Sequence, residues 1–378
     1  MWNVLFRADA SVSMGSGHVM RCLTLADFVR AAGGKATFVC RAHPGHMGDL
    51  IASRDHQLVL LPPSNDAGHD EAALKPWKPQ QQEIDAHETV SATDGRGFDW
   101  TVVDHYGLDS RWELACVRLA PHLLAVDDLA NRSHSCALLL DQNLGRGPKD
   151  YATRIPPGCA SLTGPRYALL RKEFSALRPG SLDRRREGQL RHIVISMGGT
   201  DPLDATGRAL AALKLCTLHP DTRITVIMGT SAPSLAAVEF SATTMPWPTR
   251  VHTNVTHMAN LLAEADLAIG ASGGSAWERC CLGVPSIIVV TADNQRPAAY
   301  ALRQAGCARL IDSVDLIETE LSDCIKSLRD GHSLKTLSAN AAPLVDGQGA
   351  PRVLAAMEDV VRGSARLHVS LRNTMPEP

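Results

Sequence analysis

A histidine in a glycine turn is the first residue of this sequence whose type and position suit chemistry. Residues 15–21, Gly-Ser-Gly-His-Val-Met-Arg, follow a short apolar run and lead into a helix-periodic stretch. Glycines at a strand-to-helix turn let a ligand approach the backbone, and open α/β sheets bind ligands at such strand ends. We therefore interpret His18 as a candidate catalytic residue beside Gly17 and Arg21 as substrate-binding residues. A structural histidine and a surface arginine are the alternatives.

Polar side chains also follow two later apolar runs of the first half. Asp104, His105 and Tyr106 come directly after the run at residues 100–103. Either they form a turn that satisfies its own polar groups, or they face the same cleft as His18. We take Asp104 and Tyr106 as substrate-binding residues. The adjacent Asp127 and Asp128 follow residues 123–126 and would cap a helix or contact a sugar hydroxyl.

The second half repeats the strand, glycine loop and helix pattern twice. Backbone amides in glycine loops and at helix starts bind phosphate, so these loops predict a diphosphate site. An acidic residue one turn into the following helix would bind ribose hydroxyls, and polar residues after the next strand would bind sugar or phosphate. The candidates are Gly198, Gly199, Ser272, Gly273, Gly274, Ser275 and the acidic Glu278, with Asn294 and Gln295 after the later strand.

Strands that alternate with helices predict parallel sheets built from right-handed βαβ units. The length of 378 residues favours two domains. We expect an N-terminal sugar-binding and catalytic domain at 1–178 and a polar, basic linker with solvated arginines at 179–190. A nucleotide-binding domain at 191–350 and a C-terminal helix and tail at 351–378 would follow. The polar segment 64–82 predicts a loop or lid, and residues 84–93 predict a short helix.

Composition excludes several classes of function. A net charge of −2 without charged blocks gives no reason to expect nucleic acid or an anionic membrane as a partner. No apolar run approaches the ~20 residues of a membrane span. The ten cysteines show no metal-binding spacing and predict reduced, buried thiols in a cytoplasmic protein. We expect no metal and no cofactor, although Asp104 and Asp127 leave Mg²⁺ open. The oligomeric state also stays open, with a monomer possible.

Taken together, these segments resemble the GT-B fold, in which two Rossmann-like domains with parallel sheets face a central cleft. Residues 270–285 with Asn294 and Gln295 resemble the UDP-binding half of MurG-type glycosyltransferases. Five segments in one order resemble a narrower family, the UDP-2,4-diacetamido-2,4,6-trideoxy-β-L-altropyranose hydrolases of pseudaminic acid synthesis. The five segments are residues 15–21, 103–109, 126–130, 164–171 and 196–201.

The resemblance implies that water removes UDP from a diacetamido sugar, with His18 acting on the water and the glycine loops holding UDP. A glycosyltransferase, a 2-epimerase and a nucleotide-sugar binding protein without turnover are the alternatives. Two departures from the family stand out. The polar insert between Pro62 and Asp99 would alter a lid, and Trp277 occupies a helix position where some members have a smaller polar residue.

Overall fold

The computed structural model describes residues 1–63, 76–93 and 95–372, and the chain divides into two compact units. Unit 1 contains residues 1–169 and the C-terminal segment from residue 349, and unit 2 contains residues 170–348. Each unit is built on a parallel sheet with helices, which confirms the predicted α/β class with two Rossmann-like units. The cleft between facing sheets stays a prediction.

Unit 1 has a seven-stranded sheet in the order β3-β2-β1-β4-β5-β6-β7. Its strands are β1 (Asn3–Ala8), β2 (Lys35–Arg41), β3 (Gln57–Leu61), β4 (Trp100–Asp104), β5 (His122–Val126), β6 (Leu138–Asp141) and β7 (Ala160–Thr163). The helices between them are α1 (Gly17–Ala31), α2 (Gly48–Ser53), α3 (Pro79–Ala92) and α4 (Ser110–Ala115).

Unit 2 has a six-stranded sheet in the order β10-β9-β8-β11-β12-β13. Its strands are β8 (His192–Ser196), β9 (Arg223–Met228), β10 (Thr249–Thr253), β11 (Leu267–Ala271), β12 (Ser286–Val289) and β13 (Ala308–Ile311). The helices are α5 (Lys172–Arg184), α6 (Ala205–Lys214), α7 (Leu235–Thr243), α8 (Met258–Glu264), α9 (Ser275–Cys281), α10 (Arg296–Gln304), α11 (Ile317–Lys326) and α12 (His332–Ala341). Helix α13 (Gly349–Arg372) then returns to unit 1 and packs on α1.

The central strands are apolar because helices cover both faces of each parallel sheet. In β1, Phe6 packs into the core on the α1 side, while its neighbour Leu5 packs into the core on the α4 side. Side chains also alternate between the two faces along β4, where Val102 packs on the α1 side and Val103 packs on the α4 side. Polar residues at the ends of these strands therefore fall on one face or the other according to their position.

The predicted linker at 179–190 is wrong in its structure. Residues 172–184 form α5 across Pro179, and residues 185–187 form a 3-10 turn within unit 2. Of the three arginines at 179–190, Arg186 is exposed as predicted, whereas Arg184 donates to Asp266 at 2.9 and 3.2 Å. Arg185 is buried and donates to the Leu262 carbonyl oxygen at 3.0 Å. The boundary between the units therefore lies near residue 170.

Helix α3 begins earlier than the sequence predicts. Its first residue is Pro79, which is favourable at the first helical position because it has no N–H to leave unpaired. The Gln81 side chain accepts a hydrogen bond from the Lys78 backbone N–H at 2.9 Å and so closes this end of the helix. The predicted loop at 64–82 thus includes a helical turn, and its residues 64–75 lie outside the described residues.

A buried cluster of charges joins β1, β2 and α3 in unit 1. Asp85 accepts hydrogen bonds from Arg7 at 2.7 and 3.0 Å and from Arg41 at 2.7 and 2.9 Å. Asp85 Oδ1 also accepts a hydrogen bond from the Trp112 indole N–H at 2.8 Å. Arg7 forms a further salt bridge with Asp9 at 2.7 Å. Arg7, Asp9 and Asp85 are fully buried, so each charge depends on its partners for solvation.

We expect Asp85→Asn to lower the free energy of unfolding by about 3–5 kcal/mol, because it leaves two buried guanidinium groups without their shared carboxylate. Denaturant unfolding measures the change. Asp55→Asn is the matched control, since Asp55 is exposed and, among the residues that the structure describes, its salt bridge is with Arg30 at 3.4 Å. That control should change stability by less than about 0.5 kcal/mol. Equal stabilities of the two variants would contradict a structural role for the cluster.

Candidate active site

Both sheets have a point where the direction of chain progression reverses. In unit 1 the chain moves outward from β1 through β3 and then returns to place β4 on the other side of β1. In unit 2 the same reversal puts β11 beside β8. The loops that follow these strand pairs diverge, and open α/β sheets bind ligands in the crevice that results. The predicted site residues of each unit gather at these two points.

His18 and Asp104 come together at the reversal point of unit 1. Asp104 ends β4 next to Ala8 of β1, and His18 lies in the first turn of α1 after β1. The imidazole Nδ1 is 2.6 Å from Asp104 Oδ1, and both residues are buried. An ionised carboxylate only accepts hydrogen bonds, so Nδ1 carries the proton and Nε2 of the neutral ring has a free lone pair. This arrangement suits a general base.

Arg21 lies on the same face of α1, three residues after His18. Its guanidinium donates to both oxygens of Asp104, at 2.5 and 2.7 Å. Burial alone would raise the pKa of Asp104, but the charge of Arg21 and the contact with His18 outweigh it and hold the pKa well below its usual range. Asp104 therefore remains a carboxylate at neutral pH and fixes the orientation of the imidazole.

Asp128 connects this pair to Tyr106 and Asn143. It accepts from Arg21 at 2.8 Å and from the Tyr106 hydroxyl at 3.0 Å, and the Asn143 amide lies 3.4 Å from its other oxygen. The Tyr106 ring meets the His18 ring edge-on, with 4.5 Å between centroids. The sequence alone predicts that Asp128 caps a helix or contacts a sugar, and it predicts no role for Asn143. Their positions two residues after β5 and β6 are the sequence feature that could have indicated both.

His105 points away from this group. It lies on the opposite face of β4, where its Nδ1 accepts from the Gly107 backbone N–H at 2.9 Å and its Nε2 is 3.4 Å from Asp9. The Trp77 ring packs edge-on against it. Of the three polar residues after β4, the structure therefore brings Asp104 and Tyr106 to His18 and assigns His105 to the buried charge cluster.

Asp127 faces inward, into a set of buried titratable groups. It pairs with Arg132 at 2.9 Å and accepts from the Ala130 backbone N–H at 2.8 Å. Burial raises its pKa, but His134, Arg132 and that backbone bond together lower it well below the usual range. The two carboxylates that the sequence left open for Mg²⁺, Asp104 and Asp127, thus both have cationic partners inside the protein.

Asp141 is a buried carboxyl beside Asp127. Burial and the nearby Asp128 charge raise its pKa to about 7. The Tyr151 hydroxyl lies 2.8 Å from Asp141 and 3.1 Å from Asp127, and it has one proton to donate. Below about pH 7 Asp141 carries a proton that it can donate to the tyrosine oxygen, which leaves the Tyr151 proton for the ionised Asp127.

This proton arrangement predicts a pH-dependent gain from Asp141→Asn. Unfolded Asp141 ionises near pH 4, whereas the folded group holds its proton up to about pH 7. The wild type therefore loses stability as pH rises between these values. An asparagine amide can replace the donated proton. We expect the variant to unfold with about 1–3 kcal/mol more free energy at pH 8 and with no gain at pH 4.

Denaturant unfolding across this pH range tests the expectation. Asp49→Asn is the control, because Asp49 is an exposed carboxyl in the first turn of α2. Its pH profile should match that of the wild type. A profile for Asp141→Asn that runs parallel to the wild type would show that Asp141 is ionised in the folded protein.

The predicted phosphate loops of unit 2 lie at the carboxyl ends of β8 and β11, which pair with Ser196 opposite Gly270. Gly198 has φ +106°, which requires glycine, and the Cβ positions of Gly199, Gly273 and Gly274 would meet no atom within 4 Å. The last three glycines are therefore not needed for packing. Open space above the backbone is what a bound phosphate requires.

Gln295 joins the ends of β11 and β12. Its side-chain oxygen accepts from the Thr291 hydroxyl at 3.1 Å and lies 3.4 Å from the Ser272 backbone N–H. Asn294 lies in the same 3-10 turn, Asp293–Gln295. The Ser272 hydroxyl is buried and has no hydrogen-bond partner within the described structure. The structure thus brings the predicted 272–275 loop and the 294–295 pair to one edge of the sheet.

Glu278 lies in α9, one turn after this loop. Burial raises its pKa, although the Arg171 guanidinium, 3.6 Å away, opposes the shift. Trp277 is almost fully buried, so this departure from the resembled family is a core side chain. Arg171 ends the segment 164–171 of the family resemblance, and the sequence alone predicts no role for it. In the structure it is the cation beside Glu278, the residue predicted to bind ribose hydroxyls.

Arg279 is a buried cation that sequence reasoning missed. Its guanidinium donates to the Ser275 hydroxyl at 3.1 Å and to the Ala271 carbonyl oxygen at 2.7 Å, while its Nε has no partner. In the described part of the chain, no carboxylate forms a salt bridge with it. The charge lies directly behind the 272–275 loop. The two hydrogen bonds go to neutral acceptors, and Glu278, the preceding residue in α9, is the acidic group that acts on it at longer range. An anion on the loop would complete the compensation.

Comparison with known proteins identifies relatives of the chain and solved structures similar to it. Residues 193–350 match the glycosyltransferase family 28 C-terminal domain. The UDP-2,4-diacetamido-2,4,6-trideoxy-β-L-altropyranose hydrolase of Campylobacter jejuni subsp. jejuni serotype O:2 is 24% identical over 311 residues, which cover 80% of this chain and 97% of that protein. The chain is related to this hydrolase. The resemblance seen in the five sequence segments is thereby confirmed.

Other similarities are broader. The spore coat polysaccharide biosynthesis protein SpsG of Bacillus subtilis (strain 168) is 29% identical over 199 residues, or 52% of this chain, and the match spans 58% of the SpsG length. The crystal structure of Acinetobacter baumannii MurG aligns with a TM-score of 0.68 at 16% identity, covering 95% of this chain and all of that one. This likeness confirms the GT-B fold. Among residues 1–63, 76–93 and 95–372, no helix has the length and apolar character to cross a membrane.

Proposed function

We propose that the protein hydrolyses UDP-2,4-diacetamido-2,4,6-trideoxy-β-L-altropyranose to the free sugar and UDP, as a cytoplasmic step of pseudaminic acid synthesis. The observation that carries the proposal is the contact between His18 Nδ1 and Asp104 at the reversal point of unit 1. It leaves Nε2 as the proton acceptor that a hydrolase needs. The similarity to the Campylobacter hydrolase over 97% of that protein supports the choice of substrate.

In this mechanism water attacks the anomeric carbon while the bond from that carbon to the diphosphate oxygen breaks. His18 takes a proton from the water, a contribution of about 10²- to 10⁴-fold. UDP leaves as an anion, and the sugar inverts its anomeric configuration. Asp104 holds the imidazole in the required tautomer, and Arg21 keeps Asp104 ionised. In this proposal Gly17, Tyr106 and Arg21 of unit 1 would bind the sugar, and Asn294 and Gln295 of unit 2 would be further substrate ligands.

The leaving diphosphate would be held by unit 2. Gly198, Gly199 and the 272–275 loop supply backbone N–H groups and hydroxyls, and Glu278 supplies an acceptor for ribose hydroxyls. Arg279 supplies the positive charge behind the loop, so this step needs no metal. A MurG-like glycosyltransferase is the second candidate, favoured by the family 28 match. It would use the same nucleotide site and replace water with an acceptor.

Incubation with a panel of UDP-diacetamido sugars in ¹⁸O-labelled water separates these candidates. We expect UDP release without any acceptor, with the label in the sugar. His18→Gln should lower kcat by about 10²- to 10⁴-fold and leave UDP binding unchanged. His87→Gln is the control, because His87 is an exposed imidazole on α3.

The other outcomes identify other functions. UDP release that requires an acceptor would identify a transferase, and label in UDP would indicate attack at phosphorus. Reversible release with an isomerised sugar would identify an epimerase. Binding of a UDP-sugar without turnover, unaltered by His18→Gln, would leave a binding protein.

The role of Arg279 is tested by binding alone. We expect Arg279→Gln to weaken UDP binding by about tenfold to hundredfold, because a buried charge near the diphosphate is lost, and to leave uridine binding unchanged. Arg279→Lys should fall between that variant and the wild type. Arg303→Gln removes an exposed arginine of α10 as the control. Calorimetry that shows equal losses for uridine and UDP would mean that Arg279 only supports the fold.

A further inference from the structure

Two thiols of unit 1 lie in direct contact, outside the groups that the proposed reaction uses. The sulfur atoms of Cys136 and Cys159 are 3.5 Å apart. Cys136 is buried, whereas Cys159 is partly exposed at the surface. Each cysteine lies just before a strand, at the start of β6 and of β7. Sequence reasoning took all ten cysteines as buried thiols without a function.

The backbone geometry at this point suits a disulfide. Strands β6 and β7 are parallel neighbours with Leu138 opposite Ala160, and the Ala160 N–H donates to the Ala137 carbonyl oxygen at 3.0 Å. This register places Cys159 opposite Ala137, one residue from Cys136 on the adjacent chain. Strand spacing and rise then give a Cα separation of roughly 5–6 Å, within the usual range of a disulfide. Bond formation would bring the sulfur atoms from 3.5 Å to about 2.05 Å.

The surroundings favour Cys159 as the attacking sulfur. A hydrogen bond from the Cys136 thiol lowers the pKa of Cys159, and although partial burial raises it, the nearby positive charge of His134 lowers it further. His134 bonds to Glu113 at 2.7 Å and lies 3.7 Å from Asp127, and these carboxylates overcome its burial to raise its pKa to about 9. The imidazole is thus cationic at neutral pH. The negative charge of Glu113 opposes the thiolate and raises the pKa of Cys159.

We propose that Cys136 and Cys159 are a redox modification site that closes to a reversible disulfide on exposure to a peroxide. The Cys159 thiolate attacks hydrogen peroxide, the O–O bond breaks, and a sulfenic acid and hydroxide form. The Cys136 sulfur then attacks the Cys159 sulfur, and the S–O bond breaks. The released hydroxide takes the Cys136 proton. Two thiols and one peroxide give one disulfide and two waters.

The bond would brace part of the candidate active site. The segment between the two cysteines contains Asp141 and Asn143, and these residues contact Tyr151 and Asp128. A disulfide between Cys136 and Cys159 would restrict the conformations of the unfolded chain. We therefore expect the oxidised protein to have a higher melting temperature. This inference does not depend on the proposed hydrolysis.

Peptide mapping of the full chain after peroxide treatment is the test. We expect the loss of two of the ten thiols, a peptide joined through Cys136 and Cys159, and full recovery with dithiothreitol. Cys136→Ser should stop at a sulfenic acid on Cys159 that dimedone captures, and Cys159→Ser should keep its thiols. Cys324→Ser is the control, because Cys324 is the other partly exposed thiol within the described chain.

The peptide map of the oxidised wild-type protein tests the proposed disulfide even where a variant fails to fold. Oxidation that spreads over Cys324 and Cys159 alike, with no joined peptide, would overturn the proposal. So would a stable sulfinic acid on Cys159 in the wild type, since the Cys136 sulfur would then be too slow or too distant to intercept the sulfenic acid.

Discussion

The candidate active site of unit 1 depends on the ion-pair partners of one buried carboxylate. Asp104 ends a central strand with no exposure to water, so its charge requires partners from the protein. Helix α1 supplies two partners, His18 and Arg21, which are three residues apart and therefore lie on the same face of the helix. The same contacts fix the position of α1 over β4 and the tautomer of the imidazole. Stability and chemistry therefore rest on the same two side chains.

The two sheets place different chemistry at equivalent points. In unit 1 the reversal point carries side chains that are charged and mutually paired, such as Asp104, Arg21 and Asp128. In unit 2 it carries an exposed backbone, hydroxyl groups and Arg279, which forms no salt bridge within the described part of the chain. Paired side chains can orient a proton acceptor, while backbone amides and an uncompensated cation favour an anion. One fold thus accommodates two tasks through the residues that follow its strands.

The sequence predicts well what depends on local pattern. Apolar runs identified the strands that form the centres of both sheets, and polar residues directly after them identified Asp104, Tyr106 and the 272–275 loop. It fails where the partner is remote in the chain. Arg185 looks like part of a solvated linker because its acceptor, the Leu262 carbonyl oxygen, is 77 residues away in the chain. Asp128 and Asn143 join the site only because β5 and β6 follow β4 in the sheet order.

Arg279 was missed for a related reason, since a helical arginine is normally a surface residue. Its burial changes the electrostatic balance that the proposed reaction requires. Around the His18 ring, one positive charge from Arg21 and two negative charges from Asp104 and Asp128 sum to −1. Cleavage of a glycosyl phosphate bond develops positive charge on the sugar and negative charge on the diphosphate. A net negative group beside the imidazole stabilises the first, and a buried guanidinium behind the glycine loop stabilises the second. The sign of each site therefore matches the charge that would develop next to it.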